Sequence, residues 1–174
     1  MTPEEFKSAW CQGEEDRLVA FPPNALAEIP MGDSDRNFLL TGLPEDAAPF
    51  LSFQLFAKAS LPSPSELFGI DLDLSGFRAL GTTGSGDPIC LDLDRPGTVV
   101  VLLHDEGFAL QEMNSSLRAL AACLLAYRSA VALPGGILDP WPLERIKALQ
   151  QELAKADPSI KAENFWIEQS SYLR

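Results

Sequence analysis

Long apolar runs are missing from this chain of 174 residues, and with no stretch of about 18 such residues there is nothing to predict a bilayer-spanning helix. A basic surplus is missing too. Thirteen Lys and Arg face 25 Asp and Glu, for a net charge of −12, whereas a chain that grips phosphate backbones needs the opposite balance. Cysteine is scarce: Cys11, Cys90 and Cys123 are odd in number and show no CxxC spacing. That pattern excludes a disulfide framework and argues against a zinc site, and Cys90 and Cys123, set in apolar patterns, read as reduced packing residues. Histidine occurs once, at His104. Internal repeats and low-complexity tracts are absent. The opening Met1-Thr2-Pro3-Glu4-Glu5 is acidic where a secretory leader is basic, so the expected address is the cytoplasm. One domain over residues 1–174 is expected, large enough to bury a core without staples.

What is present centres on Phe77 to His104. Three short apolar runs are separated by Gly81-Thr82-Thr83-Gly84-Ser85-Gly86-Asp87-Pro88 and by Asp94-Arg95-Pro96-Gly97, the pattern of an antiparallel meander. Ile89, Leu91 and Leu93 alternate with Cys90, Asp92 and Asp94, which predicts one face in a core and the other toward water. Thr98 to Leu103 is apolar on both faces and β-branched at Val99, Val100 and Val101, as an inner strand would be.

Around this centre the rest falls into helices and short strands. Thr2 and Glu5 form a capping box for a first helix carrying Phe6 and Trp10 on one face. Leu18 to Phe21 predicts an edge strand and Asn24 to Ile29 a helical turn. Asp33-Ser34-Asp35 predicts the start of a helix that Gly42 ends. Leu51, Phe53 and Leu55 alternate within a strand expected over 48–56, and Glu66 to Asp73 reads as a brief strand or turn. Phe108 to Met113 predicts a last strand. Asn114-Ser115-Ser116 then caps a long helix whose stripe is Leu117, Leu120, Ala121, Leu124 and Leu125. A second helix follows Asp139-Pro140 through about Ala156, and Asp157-Pro158 precedes a segment with Phe165, Trp166 and Ile167.

Charge is uneven. Residues 1–46 hold ten acids against three bases, residues 47–114 nine against three, and residues 115–174 six against seven. The acidic half serves solubility, or it meets a basic partner.

Motifs for chemistry are thin. A Ser-His-Asp set would need His104 as base with Ser85 or Ser115 as nucleophile. On a strand, Asp105 would point away from His104, and Ser115 is accounted for as a cap. The glycine cluster at 81–86 lacks the Lys-Ser/Thr pair and following helix of a phosphate loop, so a hairpin turn explains it. Asp87, Asp92, Asp94, Asp105 and Glu106 gather around the meander but match no calcium loop. No catalytic residue, metal or cofactor is expected.

The order Gly42-Leu43-Pro44, the strand around Phe53, Phe77-Arg78-Ala79-Leu80-Gly81, Gly84-x-Gly86-Asp87-Pro88-Ile89-Cys90-Leu91-Asp92, Gly97-Thr98-Val99 and Asn114-Ser115-Ser116-Leu117 resembles the SUKH superfamily. The likeness is greatest to its fourth subgroup, immunity proteins of bacterial polymorphic toxin systems, and covers about half the chain, Leu39 to Tyr127. The resemblance implies an α+β fold, a twisted antiparallel sheet with helices packed on one face. It also implies a non-enzymatic binder that neutralises a cognate toxin, in some members a nuclease. Gly81, Gly97, Asp92 and Ser115 match the pattern as structural or capping positions. Contacts vary between members, so the partner surface expected here comes from the charges: Asp87, Asp92, Asp94, Asp105 and Glu106 on an open sheet face. A regulatory or scaffolding role without a toxin is one alternative, and a small-molecule binder or hydrolase at a cleft near His104 is the other.

Overall fold

Capping chemistry starts the first helix where the sequence places it. In the computed structural model, which describes residues 1–14, 16–53, 60–134, 136 and 139–174, Thr2 and Glu5 exchange hydrogen bonds at the head of α1 (Pro3–Trp10). Strand β1 (Leu18–Val19) leads to α2 (Pro23–Leu26) and α3 (Asp33–Thr41). β2 (Leu43–Pro44) then returns to pair with β1 in a two-stranded ribbon. β3 (Asp46–Ala47) and β4 (Leu51–Ser52) begin the main sheet. The strand expected over 48–56 is thus shorter where it is described, and residues 54–59 lie outside the described residues.

The next segment departs from expectation. Instead of a strand or turn, Pro64–Phe68 forms helix α4. Ser63 accepts from the Glu66 N–H while Glu66 reaches back to the Ser63 N–H at 2.7 Å, a second capping box, with Pro64 at the first helical position.

The meander follows as expected: β5 (Phe77–Thr82), β6 (Pro88–Asp92), β7 (Val99–Leu103) and β8 (Ala109–Asn114). The sheet has six strands in the order β3-β4-β5-β6-β7-β8, every pair antiparallel. Gly81 permits the β4–β5 approach, since a Cβ there would lie 2.3 Å from the Ser52 carbonyl oxygen. Helices α5 (Leu117–Val131), α6 (Leu143–Ala156) and α7 (Phe165–Ser171) complete the chain. The cap of α5 is Ser116, not Ser115.

The main core lies between one sheet face and the helices. Leu80, Ile89, Leu91, Val99, Val101 and Met113 supply the sheet side, and Phe6, Phe38, Leu120, Leu124, Leu153 and Trp166 the helix side. The alternation in β6 is real: Ile89 and Leu91 join this core and Cys90 faces the other way. That other face is not open to water, however. Ala79, Cys90, Val100 and Leu102 are buried there beneath Leu74, with Ile70, Phe77 and Phe108 packed against them. The expectation of an exposed outer sheet face is therefore overturned. The chain from α4 to Gly76 folds across it because Cys90, Val100 and Leu102 are too apolar to leave wet.

One polar network sits inside the fold. Asp157, 1% exposed, has no cationic partner among the described residues but accepts from Asn114 Nδ2, the Ser115 N–H and hydroxyl, and the Ser159 N–H and hydroxyl at 2.7–3.1 Å. Trp166 Nε1 donates to the side-chain Oδ1 of Asn114 at 2.9 Å, and Asn164 Nδ2 donates to the Met113 backbone carbonyl at 2.9 Å. Burial opposes ionisation of Asp157, yet these donors outweigh it and hold the carboxyl below its usual range. The network ties the end of α6 and the start of α7 to the end of β8.

Candidate protein-docking face

The five acids expected to form one surface are divided by the sheet. Asp87 precedes β6, and Asp105 and Glu106 occupy a short 3-10 helix, His104–Glu106, between β7 and β8, at the same end of the sheet. Asp92 and Asp94 lie at the opposite end, about five strand residues or roughly 15 Å away.

Two of the five are not available to a partner. Asp92 is buried and accepts from the Asp94 and Arg95 N–H groups and from Arg95 Nε at 2.8 Å. It shapes the β6–β7 turn, and Arg95 continues to Glu112 on β8. Within that turn Gly97 has φ +88°, and a Cβ would meet Asp35 Oδ2 at 2.6 Å. Asp87 is also buried. It accepts from Ser85 Oγ (2.7 Å), Thr83 Oγ1 (3.2 Å), the His104 N–H (2.9 Å) and His104 Nδ1 (2.7 Å). Burial pushes its carboxyl up, but these donors prevail and its pKa lies below the ordinary range. Asp94, Asp105 and Glu106 are exposed.

His104 is held by more partners than the sequence shows. It heads a 3-10 turn instead of continuing the strand, so Asp105 does not point away: His104 Nε2 lies 3.2 Å from Asp105 Oδ1. Both ring nitrogens therefore face carboxylates. The ring stacks on Phe68 of α4 (centroids 5.7 Å), and Phe68 meets Phe108 edge-on at 5.1 Å. Phe68 is 38% exposed. Phe108 has φ +65°, a left-handed backbone that costs a non-glycine residue about 1–2 kcal/mol. Its N–H bonds back to the Leu103 carbonyl at 2.9 Å, which fixes the turn.

The same geometry speaks to hydrolysis. Ser85 donates to Asp87, not to His104, and Ser115 is engaged by Asp157. Neither serine hydrogen-bonds the imidazole as a nucleophile would. What the site offers is an aromatic step, Phe68 and Phe108, beside exposed carboxylates at Asp105 and Glu106, on a rigid support. Sequence reading missed Phe68 and Phe108. The Ser63-Pro64-x-Glu66 signature could have found the helix that presents Phe68.

A family model described as SUKH-4 immunity protein matches residues 2–171. The chain belongs to that family. Comparison with curated proteins and comparison with solved structures return no match. The α+β architecture, antiparallel sheets with seven helices among the described residues, is the one the SUKH likeness implied. Membership extends past the half of the chain that carries the recognisable motifs, taking in all of α1 and α7 of this SUKH-4 chain. No described helix is long and apolar enough to cross a membrane.

Proposed function

We propose that this SUKH-4 chain is a non-catalytic immunity protein that binds a basic protein toxin in the cytoplasm and blocks it. The observation that carries the proposal is the aromatic step at the end of the sheet. Phe68 and Phe108 stand beside Asp105 and Glu106, an apolar centre with a charged rim, which is how protein interfaces are built. Family membership supports a protein partner, and the net charge of −12 supports a basic one, since opposite fields steer encounter. The strained backbone at Phe108 supports a positional role for that ring. Asp94, at the far end, extends the acidic border, and Asp87 and Asp92 act as internal struts for the two turns. A nuclease target fits an acidic surface that stands in for phosphate.

The test is co-expression with the product of the neighbouring gene. Relief of its toxicity is expected, and Asp94→Lys/Asp105→Lys/Glu106→Lys should abolish relief and slow association at least about tenfold at low salt. Intact relief and an unchanged association rate in that variant would remove this face from the proposal. No toxicity to relieve would turn the reading toward a scaffolding role.

A further inference from the structure

The two edges of the main sheet are treated differently. β3 is two residues long, a blunted edge. β8 is six residues long and, among the described residues, pairs only with β7. Its last two residues are buried, and Asn164 covers the Met113 carbonyl. Ala109 to Glu112 remain at the surface, with Leu110 44% exposed. Natural edges are guarded by lysine, proline or a covering segment; Ala109-Leu110-Gln111-Glu112 holds no lysine or proline, and its neighbours reach it through side chains, Glu168 of α7 to Gln111 and Arg95 to Glu112. Along alternate residues of such a strand, N–H and C=O groups point away from the sheet. Beside it runs a groove of about 530 Å³ whose far wall is Ser159, Lys161 and Glu163.

We propose that this groove accepts an extended, basic segment of another protein as a seventh strand paired to β8. Ala109 to Glu112 offers about 13 Å of edge, enough for four paired residues. Charge selects the occupant. Glu112 is already paired with Arg95, and Glu106 and Glu163 face the groove against Lys161, so the groove keeps a net negative charge that favours a strand carrying Lys or Arg. A second copy carries the same net charge of −12 and the same acids, so like charge opposes self-association across this edge. Leu110 lies opposite Leu102 on the covered outer face and supplies an apolar neighbour for the incoming strand. The inference does not depend on the partner being a toxin.

The probe is a synthetic octapeptide alternating lysine and valine, added to the full chain, with amide exchange followed residue by residue. Slowed exchange within Ala109–Glu112 is expected, about tenfold or more at saturation. A glutamate–valine octapeptide should give no slowing, and N-methylation of alternate residues of the basic peptide should remove it. Leu110→Lys, which guards the edge without touching the core, should weaken binding about tenfold. Equal binding of the N-methylated peptide would reduce the effect to charge attraction and overturn strand pairing. So would protection elsewhere, or sedimentation as a dimer with β8 already protected.

Discussion

The two faces of the sheet are both buried, but they are buried differently. The inner face meets six helices in one large cluster that holds Phe6, Phe38, Tyr127 and Trp166. The outer face is covered by α4 and the loop to Gly76, and among the described residues its cluster contains only Leu74, Ala79, Cys90, Val100 and Leu102 as buried members. Among the described residues, stability therefore resides on the helix side, whereas the outer cover is thin, carries exposed Phe68, half-buried Phe108 and acids at its border, and leaves the β8 edge without a paired strand. A face secured by few contacts is where a binding surface can vary without unfolding the molecule.

Substitutions can sharpen or break that contrast. Leu120→Ala in the inner core should cost about 3–5 kcal/mol in denaturant unfolding, because its surroundings are closely packed and cannot collapse into the void. Asp157→Ala should cost about 2–4 kcal/mol by stranding the donors of Asn114, Ser115 and Ser159. Leu74→Ala on the outer face should cost about 2 kcal/mol, at the low end of the Leu→Ala range. If Leu74→Ala proves as damaging as Leu120→Ala, the two faces are equal partners in folding and the contrast fails.

A buried carboxylate and a half-buried one make opposite predictions with pH. The folded-state pKa of Asp157 is lowered, so its contribution is full above the ordinary value of 3.8 and is lost as pH falls through the folded value. Asp35 is raised, chiefly by burial, against a hydrogen bond from the Leu117 N–H at the head of α5. Its ionised form thus costs stability at neutral pH, and the cost disappears as pH falls through the raised value. Asp157→Asn should lower Tm at pH 7, with the gap to wild type closing in acid. Asp35→Asn, whose amide oxygen can still accept from Leu117, should raise Tm slightly at pH 7, with that gain also vanishing in acid. A Tm loss for Asp35→Asn at pH 7 would show that the charge at the head of α5 outweighs its burial. The smallest effect is expected on the acidic border: Asp94→Lys/Asp105→Lys/Glu106→Lys should leave stability within about 0.5 kcal/mol per site. A larger loss would mean these acids serve the fold.

Much of the architecture was legible because it is local. The capping box at Thr2 and Glu5, the glycine at the end of α3, the alternation of Ile89 and Leu91, and the two-sided apolar run in β7 each follow from residues close in sequence. α4 carried an equally local signal in Ser63, Pro64 and Glu66, and proline-rich surroundings disguised it as loop. The docking face was only partly legible. Asp87, Asp94, Asp105 and Glu106 lie in the connections and Asp92 ends β6, but pattern alone cannot tell an acid that faces water from one that binds its own turn, as Asp87 and Asp92 do.

The sequence by itself determined where the meander strands and the long helices begin, the acidity of the sheet half and the motif order that marks a SUKH-like chain. Those depend on neighbours along the chain and on composition. Tertiary structure alone decided that Cys90 and Val100 are covered, that Asp87 binds a histidine seventeen residues away, that Asp157 collects its donors and that, among the described residues, β8 pairs on one side only. Each of these rests on groups distant in sequence meeting in space, where burial makes an unpaired polar group or a wet apolar one too costly to leave alone.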